Sequence, residues 1–224
     1  MRNTWFVILF FLLLCIKSEA QYDTLNRFRL SAGAGYFADV TEFLNPGFNE
    51  PEFVKINPDV LGKIYNGKNT WFRVGYCLKT GYIISGYFSM AAVSYEINDP
   101  LELFWDEYLT DTYTIANVMF SKELGKKNNR FSFGSGILYR KYNHQDIDYL
   151  ITPVYNQDNE LIDVEMGLPT PYNLKMNDLG FVFDVEYNYR FNNRLMIGLS
   201  CSTNLIFDIG FETFSISPVI GCYF

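Results

Sequence analysis

Histidine and cysteine are scarce in this chain of 224 residues, and basic residues are fewer than acidic ones. A single histidine, His144, cannot supply a histidine-rich metal centre, so we expect no dedicated metal site and no cofactor. Four scattered cysteines do not make the disulfide framework of a small secreted domain. The chain has 18 basic and 25 acidic side chains, a net charge of −7, and phosphate-binding surfaces are usually basic. Nucleic acid is therefore excluded as an expected partner.

Long apolar runs are missing beyond the first twenty residues. The run at 5–16 is shorter than the about 20 residues that a spanning helix needs. Arg2 before it, and Ser18 and Ala20 after it, complete the pattern of a cleavable export signal. We expect a signal peptide at 1–20, cleaved near Ala20, and one domain at 21–224 with three unpaired thiols. The alternatives are a retained anchor and lipoprotein processing at Cys15, which the large Leu14 disfavours.

Aromatic residues are abundant instead, at 18% of the chain, and they alternate with small or polar residues in eight segments. Period two is the signature of a strand with two different faces, and a membrane protein without spanning helices must close its strands into a barrel. The third and fourth segments alternate poorly. The eight segments are 27–37, 70–79, 82–96, 111–123, 130–142, 178–190, 194–206 and 214–224.

The connections alternate in length, which is typical of transmembrane barrels with short turns on one side and longer loops on the other. Short turns are expected at 80–81, 124–129 and 191–193, and long loops at 38–69, 97–110 and 143–177; the last connection, at 208–212, is short. The predicted fold is all-β, an eight-stranded antiparallel up-and-down transmembrane β-barrel.

A soluble exported ligand-binding barrel is the alternative, but its aromatic residues would face inward. Here the predicted inner set is rich in glycine, serine and both signs of charge.

The last strand carries a family resemblance. The chain ends on Tyr223 and Phe224, preceded by Ile220 and Gly221, and over 27–224 it resembles the small outer-membrane β-barrels of Gram-negative bacteria, the class of the OmpA transmembrane domain and OmpX. The resemblance implies location in the outer membrane, contact with its lipid and lipopolysaccharide, and recognition of Tyr223 and Phe224 by the barrel-assembly machinery. Pro218 departs from the pattern, because proline removes a ladder hydrogen bond; it predicts a bulge or a later strand start.

Charged residues at inward positions predict a polar network inside the barrel. Such residues must pair when they are buried. A structural ion-pair network is the expected role, and an ion path or gate is the alternative. The predicted members are Arg29, Arg73, Arg130, Arg140, Asp184, Glu186, Arg190 and Arg194.

His144 lies at the end of the fifth segment, where a histidine could serve a lipid-modifying enzyme or, with Asp146 and Asp148, bind a metal. No serine follows within ten residues, so we expect neither a catalytic residue nor a metal ligand here. The predicted function is a non-enzymatic outer-membrane protein with a structural or surface-binding role through long external loops. A small-solute channel and a lipid-modifying barrel enzyme are the alternatives, and the sequence identifies no external partner.

Overall fold

The computed structural model describes residues 28–41, 64–78, 81–97, 107–126, 128–156, 161–191, 194–207 and 209–224. The predicted signal peptide and most of the predicted loops 38–69 and 97–110 lie outside these ranges. No helix in the described ranges is long and apolar enough to cross a membrane.

Eight strands form one closed antiparallel barrel in which each strand pairs with its neighbours along the chain and β1 pairs with β8. This confirms the predicted fold. We call the end of the barrel where β2–β3, β4–β5 and β6–β7 connect the turn end, and the opposite end the loop end. The strands are β1 Phe28–Asp39, β2 Tyr65–Cys77, β3 Tyr82–Ile97, β4 Glu107–Lys126, β5 Asn129–Tyr155, β6 Leu161–Phe191, β7 Leu195–Ile206 and β8 Gly210–Tyr223.

The barrel wall exposes apolar side chains on its outer face and buries charged side chains on its inner face, the reverse of the arrangement in a soluble protein. Ile220 and Ile137 point outward and are 65% and 63% exposed, whereas Arg29 and Glu186 point inward and are 2% and 0% exposed. This is the lipid-facing alternation that the sequence predicted, and it is opposite to that of a soluble ligand-binding barrel. Cys77, Cys201 and Cys222 are free, as predicted.

The prediction of a loop at 143–177 was wrong. β5 and β6 run to 27 and 31 residues and pair with each other from Asn129↔Tyr189 to Tyr155↔Leu161, with register shifts between Tyr149 and Ile151 and between Val154 and Tyr155. The three prolines of this stretch are compatible with strands, because an edge strand tolerates proline where its outer N–H groups need no partner. Both strands are edges here, since β4 pairs with β5 only as far as Asn143 and β7 pairs with β6 only as far as Gly180.

Pro218 causes neither a bulge nor a late strand start. The pairs Gly33↔Val219 and Tyr36↔Ile216 keep one register on either side of it, while the two pairs between them are absent from the ladder. Pro218 still pairs with Leu199 of β7. The seam between β1 and β8 therefore absorbs the proline as a local gap.

Candidate functional site: the lumen and the loop end

A belt of paired charges crosses the middle of the lumen. β1 and β2 supply Arg29 and Arg73, and inward positions of β6 supply Asp184 and Glu186. Glu186 binds both guanidinium groups, with Arg73 Nη1 at 2.6 Å, and Arg73 Nη2 also lies 2.9 Å from Asp184 Oδ1. All four side chains are almost fully buried, so this charge is compensated within the protein.

A second cluster lies near the turn end and is built around Glu123 of β4. Arg190 Nη2 donates to Glu123 Oε1 at 2.8 Å, Tyr223 Oη donates to Oε2 at 3.1 Å, and Arg130 Nε lies 3.9 Å from Oε1. The Arg190 guanidinium also lies 3.9 Å from the centre of the Tyr223 ring. Sequence reasoning missed Glu123, although it lies in a predicted strand, because the fourth segment alternates poorly.

Tyr223 and Phe224 therefore lie on opposite faces of the barrel wall. The Tyr223 ring is buried in the lumen cluster, whereas Phe224 is exposed on the outside. The Phe224 backbone exchanges two hydrogen bonds with Phe28, of 3.0 and 2.8 Å. The last residue is thus held against the first strand with its ring outward.

Arg140 lies closer to the loop end, in a third cluster. It binds Glu212 of β8 and Asp178 of β6, and its guanidinium lies 5.0 Å from the centre of the Tyr142 ring. Arg140 and Glu212 are buried, whereas Asp178 is 26% exposed. This cluster therefore marks where the lumen begins to open.

Arg194 does not belong to the lumen, so that part of the prediction was wrong. It lies in the turn before β7 with an exposed side chain, and its carbonyl oxygen accepts a hydrogen bond from the Tyr223 amide at 2.7 Å. Alternation placed it inward, but the residue lies outside the ladder, where period two no longer fixes the direction of a side chain.

An apolar layer fills the lumen between the central belt and the loop end. The inward residues that form it come from six strands: Phe37, Ala91, Val93, Tyr113, Ile115, Met119, Leu138, Val182 and Ile206. This layer explains the poor alternation of β3 and β4, because their inward faces are apolar as well as their outward faces. Between the central belt and this layer, a cavity lined by polar residues such as Asn69 and Asp184 and by apolar residues such as Ile115 has a volume of about 10 Å³. That is room for about one water molecule.

His144 lies above the apolar layer at an inward position. Its Nδ1 is 2.9 Å from Asp111 Oδ1, and Tyr142 Oη donates to Asp111 Oδ2 at 2.6 Å. The imidazole side chain is 29% exposed. The side chains of Asp146 and Asp148 lie outside the described residues, and no group of three or more metal-binding side chains occurs within them. Asp111 therefore contacts both His144 and Tyr142 and orients the imidazole ring.

Comparison with known proteins shows which solved structures share this barrel fold. No family model matches the chain, and no curated protein matches its sequence. Among solved structures, Neisserial surface protein A is similar with a TM-score of 0.52 at 7% identity, over 88% of this chain and 97% of that one. The fold is that of the small outer-membrane β-barrels.

Two further outer-membrane barrels are similar at lower scores. The attachment invasion locus protein Ail of Yersinia pestis has a TM-score of 0.46 at 10% identity, over 89% of this chain and 99% of that one. The N-terminal β-barrel domain of OprF from Pseudomonas aeruginosa has a TM-score of 0.44 at 10% identity, over 89% of this chain and 98% of that one.

As expected of an outer-membrane barrel, the outward side chains form a continuous apolar band. Aromatic pairs border the band at the turn end, where Phe28 lies against Tyr76 and Phe131 against Tyr187, with ring centres 5.3 and 4.8 Å apart. The band includes Leu30, Phe72, Val74, Ile84, Val118, Phe120, Ile137, Phe181, Val185, Ile197, Leu199 and Ile220, all exposed. On β5 and β6 it ends towards the loop end at Tyr139 and Leu179, beyond which the described outward residues are polar as far as Gln145 and Asn173.

Proposed function

We propose that the chain, after cleavage near Ala20, is a non-enzymatic protein of the Gram-negative outer membrane that binds a partner through the long β5–β6 hairpin. The observation that carries this proposal is the projecting hairpin, residues 144–155 and 161–179, whose strands pair with each other and with no other strand of the described chain. The hairpin continues above Tyr139 and Leu179, the margin of the lipid-facing band. A barrel anchored in lipid would therefore hold it outside the membrane.

The free edge of β5 is the better binding edge. An open strand edge presents unpaired N–H and C=O groups to which an extended segment can add by β-augmentation. Pro169 and Pro171 interrupt the donors of β6, whereas the free part of β5 contains a single proline, Pro153. Residues 144–179 include seven acidic side chains and one lysine. This charge favours an extended, basic segment of a partner protein.

The packed lumen supports a binding role over conduction. Paired charges, an apolar layer and a cavity of about 10 Å³ follow one another along the lumen. A wide diffusion pore needs a continuous wet path, and apolar constrictions exclude water. We therefore expect no stable unit conductance from the protein in a planar bilayer.

Two further partners follow from the outer-membrane fold. We propose that the barrel-assembly machinery recognises the last strand, where Phe224 is 59% exposed beside Phe28. We also propose contact with outer-membrane lipid and lipopolysaccharide around the apolar band. Both partners require the outward aromatic and aliphatic side chains that the barrel presents.

The binding role can be tested by removing the projecting hairpin without disturbing the barrel. Gln145 and Asn173 are register partners, so replacing residues 146–172 with Asn-Gly joins them by a two-residue turn. Both proteins are refolded in detergent and checked by the gel mobility of boiled and unboiled samples. They are then probed with arrays of extended peptides of different charge.

We expect the full-length protein to bind basic peptides with high β-propensity and the shortened protein to bind none of them. Equal binding by both proteins, or no binding by the full-length protein, would contradict the proposed function. A boiling-dependent shift in both proteins would show that the comparison is between folded barrels.

A further inference from the structure

Few exposed side chains on the described part of the outer wall are positively charged. Among the outward side chains that the structure describes on the strands, none is a carboxylate, and the exposed cations are Lys68, Lys141 and Lys175. The chain as a whole is acidic, with a net charge of −7. Exposed lysines without carboxylates nearby therefore form local positive patches on this wall.

Lys141 and Lys175 lie together on β5 and β6. The register pairs Lys141 with Asn177 and Asn143 with Lys175, so the two lysines are diagonal neighbours on one face, with backbones about 7 Å apart. Thr114 and Thr112 of β4 pair with Lys141 and Asn143 and extend the same face. We call this surface the β5 lysine patch: Thr112, Thr114, Lys141, Asn143, Lys175 and Asn177.

One amide of the patch is oriented to donate. Tyr139 Oη donates to Asn177 Oδ1 at 2.8 Å, which occupies the carbonyl oxygen of the amide and leaves its NH₂ group on the other side. Both lysines are exposed, and among the side chains that the structure describes no carboxylate forms an ion pair with either of them. The patch thus combines two ammonium groups with amide and hydroxyl donors, a set that matches the oxygens of a phosphate group.

The patch lies at the margin of the apolar band, and this position indicates that a matching phosphate group would belong to a lipid. Along the outward face, Tyr139 directly precedes Lys141 on β5, and Leu179 is the neighbour of Asn177 on β6; both are exposed members of the apolar band. Lysines at this margin place their charged ends among lipid headgroups while their stems lie along apolar surface. Two cations at this spacing repel each other unless an anion lies between them.

We propose that the β5 lysine patch binds the phosphate group of an outer-leaflet lipid. The proposal rests on the outer-membrane placement of the barrel but not on partner binding by the projecting hairpin. The shortened protein described above keeps Lys141 and Lys175, so it should bind the lipid as the full-length protein does. Loss of peptide binding with retained lipid binding would separate the two proposals.

The test is lipid retention by the refolded full-length barrel. The protein is reconstituted into phosphatidylcholine vesicles containing a small fraction of lipid A, either diphosphorylated or enzymatically dephosphorylated. It is then extracted in mild detergent, and bound lipid is measured by native mass spectrometry. The variants are Lys141→Gln with Lys175→Gln, and Lys68→Gln, which removes an exposed lysine that is remote on β2.

We expect the wild type and the Lys68→Gln variant to retain diphosphorylated lipid A, and the double variant to retain on the order of tenfold less. Dephosphorylated lipid A should be lost from all three proteins. Equal retention by the double variant and the wild type, or equal retention of the two lipids, would overturn the proposal. Complete displacement of the lipid by millimolar inorganic phosphate would also overturn it, since the patch would then be a site for free anions.

Discussion

Replacing Glu186 should be the most damaging single change to the lumen. Glu186 is fully buried, binds Arg29 and Arg73, and accepts a hydrogen bond from Asn188. In Glu186→Leu, Arg73 keeps Asp184 at 2.9 Å, whereas Arg29 loses its paired carboxylate. Breaking a buried pair by removing one partner costs about 3–5 kcal/mol, and we expect that loss in the free energy of unfolding. Glu186→Gln keeps an acceptor and should lose less.

The measurement is urea-induced unfolding in lipid vesicles, followed by tryptophan fluorescence and by the mobility of unboiled samples on gels. Arg194→Gln is the matched control, because Arg194 is exposed in a turn and its loss should change stability by less than about 0.5 kcal/mol. Adding Arg29→Met to Glu186→Leu removes the unpaired cation and should recover part of the loss. The reasoning fails if Glu186→Leu costs less than about 1 kcal/mol, or if the double variant is less stable than the single variant.

Three other changes test separate layers of the barrel. Val185→Arg places a charge midway along the lipid-facing run of β6 and should cost about 2–4 kcal/mol in the same unfolding assay, whereas Asn177→Arg at the band margin should cost about 0–1 kcal/mol. Leu138→Ala opens a cavity in the apolar layer of the lumen and should cost about 2–5 kcal/mol in that assay. Deleting Phe224 should leave refolding in detergent intact while lowering the amount of assembled barrel in outer-membrane fractions, measured by immunoblot.

Strand positions were predictable wherever the two faces of a strand differ chemically. In β6, Phe181, Phe183 and Val185 alternate with Asp184 and Glu186, so period two fixes both the strand and the direction of each side chain. β3 and β4 gave weak signals because their inward faces contribute Val93, Ile115 and other apolar residues to the lumen layer. When both faces of a strand are apolar, the sequence shows no alternation of apolar and polar residues from which the strand could be recognised.

The projecting hairpin was missed for a different reason. The alternation of short turns with long loops predicted a loop at 143–177, although this stretch contains β-branched and aromatic residues together with Pro153, Pro169 and Pro171. Proline excludes central strands, and only the barrel's own strand pairing reveals that β5 and β6 lack outer neighbours here. The partners within the lumen were missed in part as well, since Glu123 joins Arg190 across a separation of 67 residues that no local pattern records.

Single-cysteine labelling on intact cells tests most directly whether this barrel spans a membrane with the projecting hairpin outside the cell. With Cys77, Cys201 and Cys222 replaced by alanine, cysteine is introduced at Thr152, exposed in the hairpin, or at Asn128, exposed at the turn end. A maleimide that cannot cross membranes should label Thr152→Cys on intact cells and Asn128→Cys only after the outer membrane is permeabilised. Labelling of Asn128→Cys alone on intact cells, or of neither variant before permeabilisation, would contradict the account.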